Sequence, residues 1–260
     1  MYFEPLPIVI SKDNRVSVLY VMFSKEAIHE IGILKDLSEI IAEEGIPIIK
    51  FFSSNSNVAI FMDTTDEAKL SKVLEKLKSR VKYVENFGIH ISDIKGFASI
   101  SNSYPKLFGE RILILRETAF KSLIECILEN LKITPQIVLY LVGRRMGEEY
   151  YKSHREIFKT DLESTVRIAE KLFTLTGFGR LEVVRRSFDP LEIEYDVYDC
   201  IECKINFEAG RKIKSSLIRG LIEGYYTKLL GREVECIEEE CITQEKEKCK
   251  FKIKPIEIKA

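Results

Sequence analysis

The chain has 260 residues, 45% of them hydrophobic and 31% charged, with 40 Lys and Arg against 41 Asp and Glu for a formal net charge of −1. That length suits two cores better than one, and the well-mixed, near-neutral charge excludes the basic footprint of a nucleic-acid binder. No run approaches the ~18 apolar residues of a membrane span, and the first residues lack the basic-then-apolar order of a secretory signal, so a cytoplasmic protein is expected. Thiols stay reduced there, which makes clustered cysteines point to metal before disulfide. The richness in Ile, Glu and Lys and the absence of Trp lean toward a thermophile. Intracellular disulfides do occur in some thermophiles, so that alternative stays open.

The apolar, β-branched run 16–23 reads as a buried strand. A helix is expected over 32–44, where Ile33, Leu34, Leu37, Ile40 and Ile41 recur at helical spacing and Gly45 follows the end. A strand over 46–52, a polar turn at Asn55 and Asn57 and a strand over 58–62 come next. A helix over 67–80 carries Leu70, Val73, Leu74 and Leu77 on one face, and a strand over 81–91 closes the series. The order is βαββαβ, the split pattern of ferredoxin-like domains. Residues 23–46 resemble the first strand-to-helix turn of ACT domains: Gly32 opens the helix and Gly45 ends it, while Ile31 stands where a proline is usual and the loop is longer. The resemblance spans residues 12–93. It implies a regulatory module that pairs as a homodimer and binds an amino acid at the interface. On the plainer reading, Gly32 only permits close backbone approach.

The small and polar stretch 96–105 sets a boundary near residue 94, giving domains 1–94 and 95–260. After a short apolar run at 112–115, helices are expected over 118–131, 134–150 and 161–176. Strands are expected over 181–184, 191–197 and 201–207. Ser215 or Ser216 can cap a helix bearing Leu217, Ile218, Leu221, Ile222, Tyr225 and Tyr226, which Gly231 stops. Gly220 and Gly224 leave a flat patch on it, suited to a strand or a ligand. Strands over 234–239 and 250–253 finish the chain. The class is therefore α+β: a ferredoxin-like domain followed by a mixed α/β domain.

Five of the six cysteines lie at or beyond residue 200, and Glu238, Cys241 and Cys249 fall within one expected hairpin. Two thiolates and a carboxylate suit a divalent cation of borderline softness such as zinc. A disulfide between two of these cysteines, and free thiols, remain alternatives. The run Glu238–Glu240 also has a plain reading as a solvated edge.

Residues 97–254 resemble the 4-vinyl reductase family of small-molecule-binding domains, also called hydrocarbon-binding domains. The match rests on Gly177-Phe178-Gly179 before a strand, Glu202-Cys203, Gly220, Gly224, Gly231-Arg232 and the closing Glu238-x-x-Cys241-x7-Cys249-x-Phe251. The resemblance implies a zinc held by an upstream cysteine with Glu238, Cys241 and Cys249. The upstream position reads Ser215 here, a poor zinc ligand. Cys203, or else Cys236, is expected to supply the fourth donor. Cys200 is set aside because a strand over 201–207 points it to the opposite face.

His29 is read as solvated, His90 as partly covered, His154 as a candidate cavity residue and Cys126 as a buried small hydrophobe. The Arg144-Arg145 and Arg185-Arg186 pairs read as surface cations. No nucleophile elbow, phosphate loop, metalloprotease motif or helix-turn-helix appears, so the chain is not expected to be an enzyme. The expected function is a cytoplasmic sensor that binds a small apolar or aromatic ligand between the helices and the sheet of its second domain, in a cavity lined by helices 118–150 and 217–230. Its zinc is expected to be structural, and its output to pass through a partner protein or through a change in its own oligomeric state. A ligand-free scaffold and an enzyme accessory in tetrapyrrole reduction are the alternatives.

Overall fold

A computed structural model describes residues 8–10, 16–54, 56–100, 104–131 and 134–256. The first seven residues, Asn55 of the polar turn and residues 101–103 of the boundary stretch lie outside the described residues. The chain divides into two compact units, residues 1–112 and 113–260.

In the first unit, β1 (Ile8–Ile10) precedes β2 (Ser17–Phe23), α1 (Ile33–Glu43), β3 (Ile48–Ser54), β4 (Asn57–Met62), α2 (Glu67–Arg80) and β5 (Val84–Ile91). Strands β2 to β5 form one antiparallel sheet in the order β3-β4-β2-β5. The period of two in β2 sends Leu19, Val21 and Phe23 to a core shared with Leu37, Ile40 and Ile41 of α1 and Leu70, Val73 and Leu77 of α2. Val18 joins a smaller cluster with Phe61, Ala59, Val9 and Ala98. A short 3-10 turn, Lys25–His29, fills the long loop before α1, and Gly32 caps that helix at φ 100°. The Asp66 side chain caps α2 by accepting from the Ala68 and Lys69 amides.

The first unit runs past residue 94 because β6 (Phe97–Ser99) pairs with β1. A small hairpin, β7 (Lys106–Leu107) with β8 (Glu110–Arg111), follows it. The apolar run at 112–115 forms no strand, and Leu113 is 84% exposed.

The second unit contains α3 (Glu117–Asn130), α4 (Pro135–Phe158), α5 (Leu162–Leu175), β9 (Arg180–Phe188) and β10 (Leu191–Tyr198). It continues through α6 (Ile201–Glu208), α7 (Leu217–Leu230), β11 (Val234–Glu240) and β12 (Cys249–Pro255). Its sheet is antiparallel in the order β11-β12-β10-β9. Helix α7 is buried on nearly all sides, and its Ile218, Leu221, Ile222 and Tyr226 share a core with Ile193, Tyr195, Val197, Phe251 and Ile253 of the sheet.

Three expectations are corrected here. Residues 201–208 form a helix instead of a strand. The alternation of Ile201, Cys203, Ile205 and Phe207 imitates a strand, yet a short buried helix shows no clean solvent face for periodicity to detect. The flat patch of Gly220 and Gly224 meets a helix. A Cβ at Gly224 would stand 2.0 Å from the Arg144 carbonyl oxygen, and one at Gly220 would stand 2.2 Å from that of Tyr140. Gly143 and Gly147 answer from α4, each 2.0 Å from a carbonyl of α7 by the same construction. Four glycines thus bring two backbones into contact and leave no room for a ligand at that crossing. Cys126 is exposed, because α3 turns it away from its buried Ile124.

Candidate metal centre

Cys203, Glu238, Cys241 and Cys249 converge: one ligand atom from each lies within 4.8 Å of the others, and all four residues are buried. Each arrives from a different local setting. Glu238 follows Val234 and Cys236 at a spacing of two on β11, so the pleat turns it inward like its apolar neighbours. A register shift between Glu238 and Glu240 then bends the strand end. Cys241 follows β11 directly, a 3-10 turn Ile242–Gln244 reverses the chain, and Cys249 opens β12 opposite Val197. Cys203 enters from the first turn of α6.

The Cys203 and Cys241 sulfurs are 3.4 Å apart and those of Cys241 and Cys249 are 3.8 Å apart. The Cys203 thiol stands 3.5 Å from Glu238 Oε1. All six cysteines are unpaired, far from the ~2.05 Å of a disulfide. Thr243 donates its hydroxyl to the Cys241 sulfur at 3.1 Å.

Ser215 is part of the surroundings in an unexpected role. Its amide and its hydroxyl both donate to Glu238 Oε2, at 2.6 and 2.8 Å, and leave Oε1 turned to the sulfurs. Lys214 Nζ donates to the Glu238 and Glu239 carbonyls at 2.7 and 3.1 Å, holding the strand end. Neither serine caps α7 with its side chain. The buried Glu202 carboxylate does so, accepting from the amides of Ser216 at 2.8 Å, Leu217 at 3.1 Å and Ile218 at 2.9 Å.

Cys200 was set aside on strand geometry; the segment is a helix instead, and Cys200 still lies outside the clustered set. Cys200 is the buried N-cap of α6, next to the first turn that carries Cys203, and its sulfur is not among the four ligand atoms that lie within 4.8 Å of one another. Gly179, at φ 146°, makes the approach: a Cβ there would stand 3.2 Å from the Cys200 Cα and 2.8 Å from Val197. The Ile201 amide also donates to the Phe178 carbonyl at 3.1 Å. Cys236, the other candidate donor, is outside the cluster, packed in the core with its amide on Glu223 Oε2.

The protonation pattern follows from crowding and burial. Burial pushes the Glu238 carboxyl up to about 7, with the Cys241 thiol adding to the rise and Ser215 opposing it. Glu202 is likewise raised to about 7 by burial, against the pull of its three amide donors. Hydrogen bonding from Cys203, then Cys249, lowers Cys200 to about 6, and the same thiol contacts push Cys203 up.

Elsewhere, His29 and His90 are exposed. His154 Nδ1 stands 3.3 Å from the Tyr225 hydroxyl within a cluster that includes Tyr150 and Phe158. The arginines are engaged in ion pairs: Arg144 with Glu233, Arg145 with Glu148 and Glu149, Arg185 with Glu192, Arg186 with Glu163 and Glu170. A cavity of about 330 Å³ lies beside Gly32, lined by Phe23, Ile33, Ser53, Ser56 and Val58. An open groove of about 630 Å³ runs between α5 and β9, lined by Glu170, Leu175, Arg180, Leu181 and Val183. No described helix is long and apolar enough to cross a membrane.

No protein-family model matches the chain, and no curated protein matches it. Among solved structures, the phenol-responsive sensory domain of the transcription activator PoxR, with phenol, is similar at a TM-score of 0.52 and 17% identity over 58% of this chain and 80% of that one. A trafficking protein particle complex subunit 3 from Naegleria fowleri, covalently bound to palmitic acid, gives 0.42 and 16% over 53% and 91%. A vinyl-4-reductase family protein from Methanocaldococcus jannaschii gives 0.31 and 19% over 56% and 99%. The likeness to the sensory domain is one of fold, over a share of the chain too large for the first unit alone.

Proposed function

We propose that this chain is a cytoplasmic regulatory protein that responds to a small molecule and catalyses no reaction of its own. Its second unit is a 4-vinyl reductase-type domain braced by zinc on Cys203, Glu238, Cys241 and Cys249. One observation carries the reading: a hairpin signature and a cysteine from a distant helix meet at one buried point. The residues fit the ion. Zinc–sulfur bonds of about 2.3 Å in a tetrahedral shell separate sulfurs by about 3.8 Å. The sulfur distances of 3.4 and 3.8 Å are close to that spacing. Ser215 orients Glu238 as outer partners of ligating carboxylates do. A bound ion there supplies a cross-link between α6 and the β11–β12 hairpin.

The ligand is a small apolar or aromatic molecule, and the groove between α5 and β9 is within the ~300–1,000 Å³ usual for such sites. Leu175, Leu181 and Val183 offer apolar walls, and Glu170 a polar end. The first unit is a ferredoxin-like, ACT-like module, supported by its strand–helix order. It takes an amino acid in the cavity beside Gly32 and pairs as a homodimer. Output passes to a partner protein. A scaffold reading is favoured by the closed α4–α7 crossing and by exposed Ile137, Leu141 and Val142 on α4.

Native mass spectrometry with elemental analysis, on protein incubated with phenol, tests both parts. One zinc per chain and a retained phenol are expected. Less than about half an equivalent of zinc sinks the metal reading. A zinc-loaded chain that takes up no phenol and carries no other small molecule favours the scaffold. Zinc occupancy should fall as the pH drops, because protons compete with the ion for the three thiolates and the carboxylate.

A further inference from the structure

The three thiols of the cluster are unevenly spaced, with the Cys241 sulfur in the middle: 3.4 Å from that of Cys203 and 3.8 Å from that of Cys249. Thr243 donates its hydroxyl to the Cys241 sulfur at 3.1 Å and helps to hold it there. Disulfide sulfurs stand about 2.05 Å apart, so the closer pair, at 3.4 Å, has roughly 1.4 Å to close, a shift within reach of small side-chain rotations. That pair joins two parts of the fold: Cys203 is on the first turn of α6, and Cys241 follows β11 at the start of the connection to β12. All three cysteines are buried, yet residues 244–247 of the connection are exposed. The remaining cysteines are set apart. Cys126 is exposed on α3, Cys236 has its amide on Glu223, and Cys200 is not among the mutually close ligand atoms.

We propose that Cys203 and Cys241 are a redox modification site: in the ion-free protein hydrogen peroxide oxidises them to a disulfide, and that bond and the zinc exclude each other. The inference rests on the zinc reading above and adds a regulation to it. Local opening of the exposed connection lets the small oxidant reach Cys241. The Cys241 sulfur attacks one peroxide oxygen, the O–O bond breaks, and the leaving hydroxide departs as water with the thiol's proton, which leaves a sulfenic acid. The Cys203 sulfur then attacks the Cys241 sulfur, the S–OH bond breaks, and that hydroxide departs as a second water with the Cys203 proton. The two thiols together lose two electrons and two protons, and one peroxide becomes two waters. With the pair bonded, only Cys249 and Glu238 of the set remain, too few for a four-coordinate ion. A bound ion protects the pair in turn, because it occupies the sulfurs and ties Cys241 and Cys249 at the two ends of the connection. In a reducing compartment, thiol exchange reverses the disulfide and zinc returns.

The test uses the full chain carrying Cys126→Ser, so that the exposed thiol makes no links between chains. Zinc content is measured first, on the reduced protein. Zinc-loaded and chelator-stripped samples are then treated with hydrogen peroxide under the same conditions, and intact mass and peptide mapping follow. The stripped protein should lose about 2 Da per chain and yield a peptide linked through Cys203 and Cys241. The zinc-loaded protein should react more slowly and release its zinc in step with the disulfide, and dithiothreitol should restore zinc uptake. A link through Cys249, Cys200 or Cys236 in place of that pair, or no link at all, overturns the proposal and leaves the metal reading intact in protein that held zinc at the start. Oxidation equally fast with zinc in place overturns it too. Reduced protein that binds no zinc defeats the metal reading and, with it, the exclusion.

Discussion

Glu202 is a carboxylate with 1% exposure whose two oxygens meet three amides at the start of α7. Its raised pKa records the cost of burying charge there, and the amides offset part of that cost. Removing the carboxylate strands the donors. Glu202→Ala should therefore lower the free energy of urea unfolding by at least ~3 kcal/mol, at ~1–3 kcal/mol per buried unpaired group. A loss under ~1 kcal/mol would mean that water or another side chain takes over the cap. The serines before α7 advertise a cap by residue type alone. The residue that performs it is 14 positions upstream, and no local rule reaches that far. Glu238, Cys241 and Cys249 were legible for the opposite reason: their spacing lies within a single hairpin, where strand period and turn length decide which atoms meet.

Elements whose one apolar face meets a single neighbour were easiest to read. Helix α2 spans the residues that its Leu70, Val73 and Leu77 stripe implies, with Asp66 as its cap. Helix α6 defeated the same logic because it is short and buried, so its pattern carries hydrophobicity without a period. The α4–α7 crossing lies between these cases. Glycines four apart announce a close approach, but only packing reveals that the partner is a second helix with its own glycine pair. Gly224→Ala places a methyl 2.0 Å from the Arg144 carbonyl oxygen, on backbone that cannot rotate away. It should destabilise the second unit by ~1–3 kcal/mol or more in denaturant titration. A neutral result would require the two helices to part without loss. Glu223 makes that costly, because its carboxylate links the Tyr140 hydroxyl of α4 to the Cys236 amide of β11.

At the scale of the molecule there are two units, each with its own core. The cluster of Cys203, Glu238, Cys241 and Cys249, proposed above to hold zinc, belongs wholly to the second. Stripping the ion with a chelator should lower the melting of residues 113–260 and leave that of residues 1–112 in place. Calorimetry of holo and apo protein should accordingly move one transition of two. A chelator that leaves both transitions unmoved shows that the ion does not brace the fold.

Composition shows no overall excess of basic charge, and hydropathy no long apolar span, because both are sums over residues that need no partners. Periodicity placed most helices and strands, since an amphipathic stripe is written along the chain. Local spacing marked the hairpin donors. Tertiary structure alone decided that residues 201–208 coil, that Cys203 meets the hairpin donors and that Ser215 holds Glu238. Each of these depends on which distant surface buries a segment, and that is a property of the assembled core.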